Sequence, residues 1–169
     1  MSLALVVVVK NIKNVVVKTD DNKYMRGEKD TSLYNSSSIA FILKYQNKNF
    51  LFLADASVEV INYSLKQLCY SKENRLKIDF VKLSHGGSIK NIDSEFLDMV
   101  NTNRYVILTD GKRFGFPHKE TLELILTHKL RAEFIEFICN YQNVLENKLS
   151  EEEVMRYNCK LVYASSMEF

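Results

Sequence analysis

Residues 49–54, NFLFLA, are apolar at nearly every position, so as a strand this segment is apolar on both faces. Such a strand needs a neighbour on each side and cover above and below, which places it inside a sheet. The preceding residues 38–45, SIAFILKY, lead into it across a polar Gln46-Asn47-Lys48 turn, and the pair reads as a β-hairpin. The period then changes. Val58, Ile61, Leu65 and Leu68 recur at three- and four-residue spacing, which predicts an amphipathic helix over residues 58–70 with Ser57 as its N-cap.

Strands and helices alternate from there on. A strand over 78–83, a helix over 94–100, a strand over 105–109 and a helix over 118–130 are expected. A strand over 134–138, a short helix over 151–157 capped by Ser150, and a last strand over 161–164 complete the series. This alternation predicts an α/β protein with a mixed sheet and helices mainly on one face. Upstream, valine-rich residues 6–9 and 15–17 predict two short strands, an additional β-hairpin within residues 1–18. Residues 19–37 are polar and read as a loop, of a length usually kept for function.

No composition shift or low-complexity linker divides the chain, so residues 1–169 are expected to form a single domain. Hydrophobic residues at 46% and charged residues at 26% exclude a disordered chain. A net charge of +2 is too small to imply nucleic acid or an anionic membrane on its own. Cys69, Cys139 and Cys159 show no CxxC spacing and read as reduced thiols. The run LALVVVV at residues 3–9 is far short of the about 20 apolar residues that span a bilayer. It also lacks a basic flank and a cleavage site, so a cytoplasmic location with no membrane partner is expected.

Three polar landmarks follow predicted strands, where open α/β sheets place ligands. Asp55 directly follows FLFLA; a carboxylate there either ligates a metal or ends the strand and caps the next helix. Ser84-His85-Gly86-Gly87-Ser88 follows IDFVKL, with paired glycines that permit close backbone approach and a histidine able to bind metal or donate a proton. Asp110 to His118, DGKRFGFPH, follows YVILT, and Pro117 just before a helix puts His118 in the first turn.

Taken in order, NSSSIAF, FLADAS, VKLSHGGS and TDGKRFGFPHKETL resemble the second half of the metallo-β-lactamase superfamily, in particular the branch containing the competence-protein hydrolase domains. The match covers residues 31–126. The resemblance implies half of a four-layered αβ/βα sandwich and, in the parent hydrolase, zinc-dependent cleavage of phosphodiesters or other esters. It makes Asp55 and His85 the metal residues, His85 and His118 the catalytic histidines, and Ser88, Lys112 and Arg113 the substrate contacts. The chain departs from the family in four ways. It lacks the His-x-His-x-Asp-His motif; Gly86 replaces the second histidine of His-His-Gly-Ser; and Phe116 stands at the histidine of Gly-His-Pro, with His118 two residues later. Ala54 also replaces the glycine before the aspartate. Either histidine of the family pair is open to the ligand role.

These departures predict that the chain alone binds no stoichiometric zinc and has no turnover, so it is either the C-terminal part of a hydrolase or a non-catalytic assembly or regulatory module. A lone half-sandwich exposes an apolar sheet face, which calls for a homo-oligomer, a missing N-terminal half or residues 3–18 to cover it. A third reading, nucleic-acid binding, rests on Lys82, Lys90, Lys112, Arg113 and Lys119 as phosphate contacts.

Overall fold

The computed structural model describes residues 4–7 and 38–167. Strand β1 (Ala4–Val7) pairs antiparallel with β2 (Phe41–Tyr45), which pairs antiparallel with β3 (Lys48–Phe52). Residues 4–7 are strand, which includes the first two residues of the strand expected over 6–9; residues 8–9 and the predictions for residues 15–17 and 19–37 fall outside the described residues. The hairpin turn is two residues long, with φ 47° at Gln46 and 63° at Asn47. Two successive positive φ values give the turn the twist of the strands it joins, so Lys48 enters the ladder opposite Tyr45 instead of standing in the turn.

Helix α1 (Val58–Gln67) follows. It stops three residues short of the predicted end because Cys69 adopts φ 63° and closes a Schellman cap: Tyr70 N–H donates to Leu65 O at 3.0 Å and Cys69 N–H to Lys66 O at 2.9 Å. The strand expected over 78–83 is shortened to residues 80–82, and a separate short strand precedes it. β4 (Leu76–Lys77) pairs with the later β6 (Val100–Asn101) in a separate two-stranded sheet, and β5 (Phe80–Lys82) joins the main sheet. Asp79 stands between the two, its carboxylate accepting Asn49 N–H at 2.7 Å while its own N–H donates to Asn49 O at 2.8 Å.

Helix α2 (Ser94–Met99) is capped by Asp93, whose Oδ1 accepts Phe96 N–H at 2.8 Å. Strand β7 (Arg104–Ile107), helix α3 (Lys119–Thr127), strand β8 (Ile135–Cys139), helix α4 (Glu151–Arg156) and strand β9 (Cys159–Tyr163) complete the chain. Helix α4 starts in a capping box between Ser150 and Glu153.

The main sheet has seven strands in the order β1-β2-β3-β5-β7-β8-β9, antiparallel through the hairpin and parallel from β3 onward. The fold is α/β with a mixed sheet. Strand alternation separates two faces. Leu51, Val81, Tyr105, Ile107, Ile135 and Phe137 share one buried core with Ile61 and Leu65 of α1, Phe96 and Leu97 of α2, and Leu122, Ile125 and Leu126 of α3. Val154 and Tyr157 at α4 pack on the same core, so all four helices lie on that face. Phe137 is 0% exposed, and truncating such a ring costs about 3–5 kcal/mol. Phe50, Phe80, Val106 and Ile138 form a second, smaller cluster on the opposite face, flanked by half-buried Leu43, Phe52 and Val162.

Arg75 ties the helical layer together. Its guanidinium donates to the carbonyls of Leu97, Asp98, Val100 and Leu130. Nearby, His128 Nε2 lies 3.2 Å from Asp98 Oδ1 and its Nδ1 accepts Leu130 N–H at 3.3 Å. Carbonyls at the ends of three segments thus find donors in side chains.

Candidate functional site

Parallel pairing of β3, β5 and β7 brings their C-terminal ends to one edge of the sheet. Asp55, the Ser84–Ser88 turn and the loop 110–116 leave from these three adjacent ends. Backbone bonds lock them in place: Leu53 N–H donates to Lys82 O at 3.2 Å, Leu83 N–H to Val106 O at 2.9 Å, and His85 N–H to Ala54 O at 3.0 Å.

The turn after β5 needs its glycines. His85, Gly86 and Gly87 take φ of 47°, 63° and 87° in succession. A Cβ on Gly86 would stand 3.2 Å from Thr109 Cβ and 3.5 Å from the Phe116 ring; one on Gly87 would stand 2.7 Å from Pro117 Cβ. A side chain at residue 86 would thus take a strained left-handed φ of 63° and push Thr109 back by a few tenths of an ångström. Ser84 Oγ donates to Ala56 O at 2.7 Å and Thr121 Oγ1 to Gly87 O at 2.8 Å, fixing the turn at both ends.

Asp55 is exposed at the mouth of this edge. It lies two residues before Ser57, which occupies the N-cap position of α1 without a side-chain capping bond. Lys82, on the face opposite the helices, donates from Nζ to Ala54 O at 3.0 Å. Burial holds its ammonium below the usual lysine range, and the Asp55 carboxylate pulls it part of the way back. Asp55 therefore lies within electrostatic range of a cation supplied by the chain.

His85 and His118 both lie against Phe116, with ring centroids 5.2 Å and 4.9 Å from it. His118 is the N-cap residue of α3, one position before the first turn where the sequence puts it. Its main-chain N–H donates to Gly87 O at 3.1 Å, and its ring Nδ1 accepts Ile89 N–H at 3.2 Å, so it braces the turn that carries His85. Ser88 is 4% exposed, and its Oγ accepts Lys90 N–H at 3.2 Å. Lys112 and Arg113 stand exposed on the loop, the Arg113 guanidinium 5.0 Å from the centre of the exposed Phe114 ring. Lys148 Nζ donates to Gly115 O at 2.7 Å and anchors that loop.

The edge thus collects Asp55, His85, His118, Lys112 and Arg113. His128 belongs to the Arg75 cluster and not to this edge. Catalytic zinc commonly takes three protein ligands. Among the described residues no group of three or more His, Cys, Asp or Glu side chains is placed to hold a metal ion. The sequence places Lys82 among the possible phosphate contacts, and its bond to Ala54 O is not legible there; the one signal is its position two residues before Ser84 on an apolar strand. At the opposite edge of the sheet a polar cleft of about 540 Å³ is lined by Asn47, Asn49, Lys77, Asp79, Asn101 and Asn103 among others. No described helix is long and apolar enough to cross a membrane. No family model, curated protein or solved structure matches the chain.

Proposed function

We propose that the chain is the C-terminal part of a metallo-β-lactamase-type hydrolase that cleaves phosphodiesters or other esters, and that alone it holds too few ligands for turnover. The observation that carries this reading is the meeting of Asp55, His85 and the Asp110–Phe116 loop at the ends of three neighbouring parallel strands. Backbone conformation adds support. Ala54, where the family has glycine, takes φ 47°, a conformation glycine enters without cost.

Metal analysis of the purified chain, followed by assay of a chromogenic phosphodiester with added zinc or manganese, tests the proposal. The expected result is less than one metal per chain and no metal-dependent turnover. Two metals per chain, with turnover abolished by Asp55→Ala, would show a complete enzyme. Co-expression with a segment carrying His-x-His-x-Asp-His is expected to restore metal binding that depends on Asp55; failure to do so counts against the hydrolase reading.

A second reading is a non-catalytic assembly module; the apolar row Phe50, Phe80, Val106 and Ile138 on the face that carries no described helix is only 5–7% exposed within the single chain, so it does not by itself call for a partner. The assembly reading predicts a homo-oligomer with an interface above about 1,200 Å². Light scattering at micromolar concentration separates the two, since a monomer removes the assembly reading.

A further inference from the structure

We infer that His118 is an oxyanion-binding donor, fixed as the Nε2–H tautomer, and not a substitute metal ligand for the histidine that Phe116 replaces. The inference rests on the proposed ester-hydrolase reading for the identity of its ligand, a phosphoryl oxygen.

The geometry decides the tautomer. A neutral imidazole has one protonated and one bare nitrogen. His118 Nδ1 accepts the main-chain N–H of Ile89 at 3.2 Å, so it is the bare nitrogen and the proton is on Nε2. Moving the proton to Nδ1 would set two N–H groups against each other and leave the Ile89 donor without its acceptor. Nε2 bonds to no other group among the described residues. A metal takes a lone pair, and the Nε2 of this tautomer has a proton in its place.

Placement supports the same role. The imidazole is held by the Ile89 N–H on its Nδ1 at 3.2 Å and by the Phe116 ring at 4.9 Å, while the His118 main-chain N–H donates to Gly87 O at 3.1 Å, so its orientation is set before any ligand arrives. It stands on the edge that also presents Lys112 and Arg113, whose charges draw an anion toward it. A half-buried, pre-oriented N–H beside exposed cations is the arrangement that binds an anionic oxygen.

Two variants separate donor from brace. His118→Asn keeps an oxygen near the Nδ1 position to accept Ile89 N–H and removes the distal N–H, whereas His118→Ala removes both. Long-range proton–nitrogen spectra of histidine-labelled protein are expected to give the Nε2–H tautomer, with the proton retained in excess zinc. Titration with inorganic phosphate is expected to shift the Nε2–H signal. In His118→Asn, phosphate affinity should fall about tenfold or more, with the Ile89 amide signal unchanged. An Nδ1–H tautomer, zinc displacing the Nε2 proton, no phosphate response in the unaltered chain, or equal affinity in His118→Asn would each overturn the assignment. Failure of co-expression to restore Asp55-dependent metal binding would remove the hydrolase reading while leaving a phosphate-binding His118 in place.

Discussion

The main-chain N–H of His85 donates to the carbonyl of Ala54 at 3.0 Å, and the two residues share the same left-handed backbone, φ 47° at each. Two non-glycine residues in that region, bonded to each other, put the ends of β3 and β5 into fixed relative position. The Ala54 carbonyl also accepts from Lys82 Nζ, so one peptide group holds the turn and the Lys82 ammonium together.

Ala54→Gly should therefore stabilise the fold. Relief of the left-handed penalty is worth about 1–2 kcal/mol, and the greater freedom of glycine in the unfolded chain offsets part of it. Urea denaturation is expected to show a higher midpoint with an unchanged slope; a lower midpoint would mean that the alanine methyl group makes a packing contribution larger than the strain.

Gly87→Ala should do the opposite. Its φ of 87° and the 2.7 Å approach of a new Cβ to Pro117 Cβ both oppose a side chain, and the expected loss is about 2–3 kcal/mol. Gly115→Ala is the internal control: φ is 67° but nothing lies within 4 Å, so only the backbone cost of about 1 kcal/mol is expected. Equal losses at the two positions would contradict the packing described around Pro117.

Arg75→Met keeps the aliphatic stem and removes every donor. The carbonyls of Leu97, Asp98, Val100 and Leu130 then lose their partner, for an expected destabilisation of about 3 kcal/mol. Thermal unfolding checks this, and a loss below about 1 kcal/mol would show that water replaces the guanidinium at no great cost.

His128 supplies a pH dependence. Burial lowers its pKa below the usual 6.5, with Asp98 opposing the shift and the Arg75 charge adding to it. The unfolded chain therefore takes up the proton first, and stability rises with pH across this window. The contribution is fully present above the unfolded pKa and is lost as pH falls from about 6.5 through the lower folded value. Urea midpoints between pH 7.5 and 5 should fall in the unaltered chain and fall less in His128→Gln. Identical pH profiles would refute the assignment.

The elements that were legible in the sequence are those with a strong local period. NFLFLA, the helix beginning at Val58, the Ser150 start of α4 and the strand–helix alternation needed only neighbouring residues. What was not legible depends on distant ones. Arg75 sits in a polar stretch, SKENRLK, that reads as surface until α2, β6 and the segment after α3 bring four carbonyls to it. Asp79 precedes β5 instead of joining it because Asn49, thirty residues earlier, offers both halves of a backbone pair. At the site, the order of the motifs put Asp55 and His85 on adjacent strand ends, but the orientation of His118 toward Ile89 is a property of the folded turn.

The strand order has a consequence for how the molecule is made. From β2 onward every strand of the main sheet pairs with the main-sheet strand synthesised just before it, and each parallel crossover is a short helical connection on the same face. Parallel sheets are slow to fold when their partners are far apart in sequence. Here no strand of that series waits for one not yet translated. The sheet can grow outward from the hairpin as the chain leaves the ribosome, with each new strand covering the open edge left by the last.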